Sequence, residues 1–148
     1  MPDRAKTALV PVTGSPLDEV AVGIACEMVK ANHGIVWVLY VIEVPLNAPL
    51  DAELSAEAAR GERVLQNMES IAKSRKCKVE GEILQARSLA PAVIDEATQR
   101  GADMIVVGAP YQAHFGAPTI GDVVPYLLKY SPAPVLVYRG GSDGRRKD

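Results

Sequence analysis

Apolar and polar positions alternate along this chain in two distinct rhythms. Short, wholly apolar runs, "TALVPV", "IVWVLYVIEV" and "DMIVVGA", are each closed by turn residues. Such runs, rich in β-branched residues, predict strands covered on both faces, as in a parallel sheet. Between them lie longer stretches of helical period. In "PLDEVAVGIACEMVKANHG", Val20, Ile24, Met28 and Val29 mark the apolar side. Ser15 is placed to cap this helix, Pro16 to occupy its first turn and Gly34 to end it. His33, just before that glycine, suits a helix C-terminus. From about residue 51 to 76, Leu54, Ala58, Leu65, Met68 and Ile71 predict an amphipathic helix with Gly61 as its weak point.

"KVEGEILQA" has the period of a strand with one charged face, because Glu80 and Glu82 point away from Val79, Gly81 and Ile83. Charges on one face suit a sheet edge. "LAPAVIDEATQRG" predicts a short helix ending at Gly101, and "VVPYLLKY" a helix after a glycine-rich loop. "PAPVLVYR" is a closing strand entered through prolines. Strands that alternate with helices imply right-handed crossovers and a doubly wound, mostly parallel α/β sheet. Ligands of such sheets sit beyond the carboxyl ends of the strands. Two of those ends carry turn glycines, "PVTGS" and "VVGAP".

Composition narrows the function. The 148 residues are 48% hydrophobic, which fits one folded domain over residues 1–140, with 141–148 as a flexible tail. No apolar run reaches the roughly 18 residues of a membrane span. The opening "MPDRAKTALVPV" does not have the form of a signal peptide, so a cytoplasmic protein is expected. A net charge of −2, without a basic stripe, argues against nucleic acid. Cys26 and Cys77 have no metal-type spacing and read as two separate buried thiols. His33 and His114 belong to different segments and suggest no metal site. Gly116 and Gly121 have the Walker separation, but Asp122 and Val123 stand where that loop requires Lys and Ser or Thr. No G-x-S-x-G elbow is present, and no catalytic group is apparent.

From Thr7 to Arg139 the chain resembles the universal stress protein (UspA) family. The resemblance rests on "LVPVTGS", "VIEVP", "LAPAVIDEATQRGADMIVVGA" and "SPAPVLVYR" at their proper separations. It implies a flavodoxin-like, Rossmann-like fold with a five-stranded parallel sheet of order 3-2-1-4-5 and helices on both faces. It also implies a place to look for ATP, because many members bind it through a motif of glycine, two residues, glycine, nine residues, then glycine and a hydroxyl residue. Here Gly108 and Gly121 match, whereas Tyr111 and Asp122 replace the second glycine and the hydroxyl. Thr13 stands where those members usually carry an aspartate.

A tyrosine adds bulk where the backbone approaches phosphate, and an ionised aspartate only accepts hydrogen bonds. Asp122 is placed to cap the helix that follows and to repel a polyphosphate. The candidate nucleotide cleft comprises Pro11, Val12, Thr13, Val41, Gly108, Ala109, Tyr111, His114, Gly121 and Asp122. Two readings follow. One is a small dimeric regulatory protein with a degenerate ATP motif, acting through protein contacts without turnover. The other is a sensor of AMP, a cyclic nucleotide or ATP with Mg²⁺. The resemblance also implies a homodimer through Pro134–Tyr138, and a regulatory protein or a transporter as partner.

Overall fold

The computed structural model describes residues 5–114, 117–119 and 122–141. The elements run β1 (Thr7–Val12), α1 (Leu17–Lys30), β2 (Ile35–Glu43), α2 (Ser55–Ser74), β3 (Lys78–Ala86) and α3 (Leu89–Gln99). They continue with β4 (Met104–Ala109), β5 (Gln112–His114), β6 (Ala117–Thr119), α4 (Val123–Tyr130) and β7 (Val135–Arg139). The main sheet has the order β3-β2-β1-β4-β7 and is parallel throughout. This is the expected 3-2-1-4-5 arrangement, with β3 at one margin. The loop after β4 holds a small antiparallel ladder, β5 with β6, which the apolar pattern does not predict. Strands of three residues are too short to carry a period. The tail beyond residue 141 lies outside the described residues.

Alternation along the central strands divides the core. Ala8, Val10 and Val12 face α1 and α2, together with Val36, Val38, Met104 and Val106. Leu9, Leu39, Ile105 and Val107 face α3 and α4. Each fully buried Val, Leu, Ile or Met side chain among them stabilises the fold by about 1.5–3 kcal/mol relative to exposure.

The predicted face of α1 is rotated. Ala21, Val22, Ala25, Cys26 and Val29 are buried, while Ile24 and Met28 pack at the flank. Small side chains here bring the helix close to the sheet, and a search for large apolar residues passes over them. Gly61 is likewise no weak point. It is buried, and a Cβ there would stand 2.8 Å from the Tyr40 ring, so its absence seats α2 on the sheet.

Three helices end in the same way. Gly34 N–H donates to Val29 O at 2.9 Å, Cys77 N–H to Ala72 O at 2.9 Å and Ala102 N–H to Ala97 O at 2.9 Å. Each is the six-to-one bond of a left-handed C-terminal cap. The left-handed residues are His33 (φ 56°), Lys76 (φ 56°) and Gly101 (φ 61°). Gly34 is therefore not the left-handed residue of α1. A Cβ on it would fall 2.3 Å from the Lys6 carbonyl oxygen, so close approach to the chain entering β1 fixes it as glycine.

The thiols also depart from expectation. Cys26 is fully buried, but Cys77 is only half-buried and packs against the core cluster that holds Cys26, while its Sγ donates to the Lys78 carbonyl oxygen at 3.7 Å. Among the described residues no helix is long and apolar enough to cross a membrane.

Candidate functional site

The carboxyl end of the sheet is shaped first by the turn after β1. Gly14 takes a left-handed conformation (φ 92°) and swings the chain toward α1. Ser15 Oγ accepts the Leu17 N–H at 3.1 Å, a bond within the turn, while no side chain caps α1 at Pro16. Asp18, one residue into the helix, folds back and is buried. Its Oδ2 accepts the Gly14 N–H at 2.7 Å and the Thr13 N–H at 3.2 Å. The Arg60 guanidinium donates to the Thr13 carbonyl oxygen at 3.3 Å. Burial pushes the Asp18 carboxyl above its ordinary range, against the pull of the Gly14, Thr13 and Ser15 backbone bonds and the Arg60 charge. Two amides that could meet a ligand's anion are thus already held by a carboxylate of the chain.

The second shaping element is the exit of β4. Gly108 has no positive φ. A Cβ there would lie 2.9 Å from the Leu17 carbonyl oxygen, so this glycine lets the start of α1 cross the strand. Ala109 O accepts the Gly140 N–H at 2.8 Å, which draws the end of β7 alongside. Tyr111 is half-buried, with the Arg139 guanidinium 4.9 Å from its ring centroid. Asp122 precedes α4 with helical dihedrals, and its exposed side chain makes no capping bond. The expected cap at Asp122 is therefore corrected. A capping carboxylate needs the extended conformation that aims it back at the first amides, and Asp122 is already wound into the helix.

A third wall comes from the ends of β2 and β3. Glu43 Oε2 accepts the Leu89 N–H at 2.8 Å and so caps α3 from across the sheet, where an anion is favoured. The Arg87 guanidinium donates to Pro45 O at 2.5 Å, Ala48 O at 2.8 Å and Val44 O at 3.4 Å. It fixes the connection between β2 and α2.

These walls enclose an open cleft of about 560 Å³, a size suited to a small molecule. Its floor is Pro11, Thr13, Val107, Gly108 and Ala109, and its sides are the first turns of α3 and α4, including Ser88, Leu89, Asp122 and Tyr126. Asp18 and Glu43 complete it. Of the predicted site residues, the fold brings Pro11, Thr13, Gly108, Ala109 and Asp122 to this cleft. Val12 is buried against α1 and α2, and Val41 packs into the α3 and α4 core, so neither side chain lines it. Tyr111 is outside it. His114 lies in β5 with its side chain undescribed, and Gly121 is outside the described residues.

Sequence reasoning missed Asp18, Glu43 and Tyr126. Only Asp18 left a trace, as an acidic residue in the first turn of the helix that follows the Gly14 turn. The described residues that line the cleft include three carboxylates and no cation.

A doubly wound parallel sheet with an open cleft at its switch point defines a flavodoxin-like architecture. The chain belongs to the universal stress protein family, whose model matches residues 4–139. It is 26% identical over 140 residues to universal stress protein MJ0531 of Methanocaldococcus jannaschii, covering 90% of this chain and 82% of that protein. Among solved structures it resembles the universal stress protein of Archaeoglobus fulgidus in complex with dAMP. The TM-score is 0.71 and the identity 18%, over 90% of this chain and 98% of that one. It also resembles a universal stress protein in complex with cAMP, with a TM-score of 0.71 and 20% identity over 92% and 98% of the two chains.

Proposed function

We propose that this protein is a regulator without turnover that binds a nucleotide of low charge, a nucleoside monophosphate or a cyclic nucleotide, in the cleft at the ends of β1 and β4. The observation that carries this reading is the lining itself. Tyr111 does not line the cleft, and the cleft is acidic because Asp18, Glu43 and Asp122 do. Unit charges 4 Å apart repel by about 1 kcal/mol in water and more where water is partly excluded. A base and ribose can use the floor, but a bare triphosphate meets three carboxylates. Mg²⁺ would relieve that repulsion. The dAMP and cAMP complexes of the two structural relatives support the ligand class.

Calorimetry with AMP, cyclic AMP and ATP, each with and without Mg²⁺, tests the reading. AMP or cyclic AMP should bind, and ATP without Mg²⁺ should bind at least about tenfold more weakly than either. Conversion of ATP to ADP at a steady rate would sink the claim of no turnover.

A second reading, in which the protein acts only through protein contacts, is favoured by one observation: Asp18 already holds the amides of Thr13 and Gly14. It predicts no thermal shift with any of these nucleotides. In either case we infer a homodimer through β7. Among the described residues β7 pairs only with β4, and Val137 and Tyr138 on it are exposed. An apolar strand with a free edge is a template for another chain. Light scattering at micromolar concentration should give twice the chain mass, and Val137→Lys should return it to that of one chain.

A further inference from the structure

At the amino end of the sheet, where the last turns of α1 and α2 meet, lies a separate cavity of about 390 Å³. Lys30, His33, Gly34, Lys76, Cys77 and Lys78 line it. Cys77 follows the left-handed Lys76 that closes α2, and its thiol is the one within reach of solvent. Behind it, on α1, is its neighbour Cys26, fully buried in the core cluster against which Cys77 packs. Burial, and then the neighbouring Cys77, push the Cys26 thiol up to about 12, so Cys26 keeps its proton. Lys30 and Lys76 lie at helix C-termini, where the carbonyl ends favour cations. That preference does not account for Lys78, which starts a strand, or for a thiol at the centre of the group.

We propose that Cys77 is a thiol–disulfide exchange site for small anionic disulfides, with Cys26 as the resolving thiol that converts the mixed disulfide into an internal Cys26–Cys77 bond. The attacking species is the Cys77 thiolate. It bonds to one sulfur of the small disulfide, whose S–S bond breaks and releases one small thiolate. Cys26 then gives up the proton it holds at rest: its sulfur attacks the Cys77 sulfur as the bond from Cys77 to the small sulfur breaks, and the small thiolate released takes that proton. Two electrons pass from the protein dithiol to the small disulfide, which ends as two thiols. The basic rim concentrates an anionic partner and stabilises charge as it develops. The product ties α1 to the start of β3.

The test uses the full chain, with oxidised glutathione as the anionic probe and cystamine as the cationic one. Rates are normalised to those of a small free thiol. Mass spectrometry after alkylation should find a protein lighter by two hydrogens, with the Cys26 and Cys77 peptides linked. The normalised rate with oxidised glutathione should exceed that with cystamine by about tenfold at low salt. Cys26→Ala should stop at a mixed disulfide on Cys77, and Cys77→Ser should leave Cys26 unmodified. Three results would each overturn the proposal. They are wild-type protein that keeps both thiols free, equal normalised rates for the two probes, and Cys26 that reacts in Cys77→Ser as fast as in wild type. The first two need no variant, so they hold even if a substitution impairs folding.

Discussion

The two ends of one sheet carry opposite chemistry. The carboxyl end gathers Asp18, Glu43 and Asp122 around a cleft, and the amino end gathers Lys30, His33, Lys76 and Lys78 around a thiol. Helix direction explains much of the sorting. In a doubly wound fold every helix starts at the carboxyl end of the sheet and finishes at the amino end. Helix starts favour carboxylates and helix ends favour cations. Asp18 and Glu43 are committed to backbone amides, so their charge is partly answered. Lys30 and Lys76, in the other cavity, lie in the weaker field of helix carbonyl ends, and Lys78 starts a strand beside them. A chain with a net charge of −2 can therefore present both an acidic and a basic recess.

The hardest way to break this contrast is steric, at the amino end. Gly34→Val forces side-chain atoms against the Lys6 carbonyl and should cost about 3 kcal/mol in denaturant unfolding. Gly101→Ala, at a left-handed position with open space around it, should cost only about 1 kcal/mol. Equal losses would mean that close approach is not what fixes Gly34.

At the carboxyl end, Asp122→Asn removes an exposed charge from the cleft. It should tighten AMP binding by no more than about fivefold, the worth of one near charge in water. Unchanged or weaker binding in calorimetry would remove Asp122 from the electrostatics of the site.

The smallest effect is a pH dependence at Asp18. Its folded-state pKa is raised, so the folded protein holds this proton more tightly than the unfolded chain does. The associated stability is complete below the ordinary value of 3.8 and is lost as pH rises through the folded value. Going from about pH 4 to pH 7 should therefore cost wild type more stability than Asp18→Asn. A steeper fall in the variant, measured by urea unfolding, would reverse the assigned sign.

Most of the fold was legible because its signals are local. Wholly apolar runs marked the inner strands, and Glu80 and Glu82 marked β3 as a margin. The site was less legible because its parts come from distant segments. Asp18 is an ordinary first-turn acid by type and place, and nothing local says that it turns back on Thr13 and Gly14. Glu43 caps a helix that begins well beyond its own strand. Asp122 had the right residue type for a cap but the wrong dihedrals, which the sequence does not state. Cys26 and Cys77 meet only after α1 and α2 have packed on the same face.

The margins of the sheet are unequal. β3 is lined with Lys78, Glu80 and Glu82, and Glu82 is held by Arg100, whose guanidinium also stacks 3.8 Å above the Trp37 ring. β7 carries bare Val137 and Tyr138 instead. In the proposed dimer, strand addition at β7 would happen once and then stop. Two sheets joined rim to rim at β7 would show the surroundings only their charged borders, so the join closes a pair and cannot propagate into a fibre.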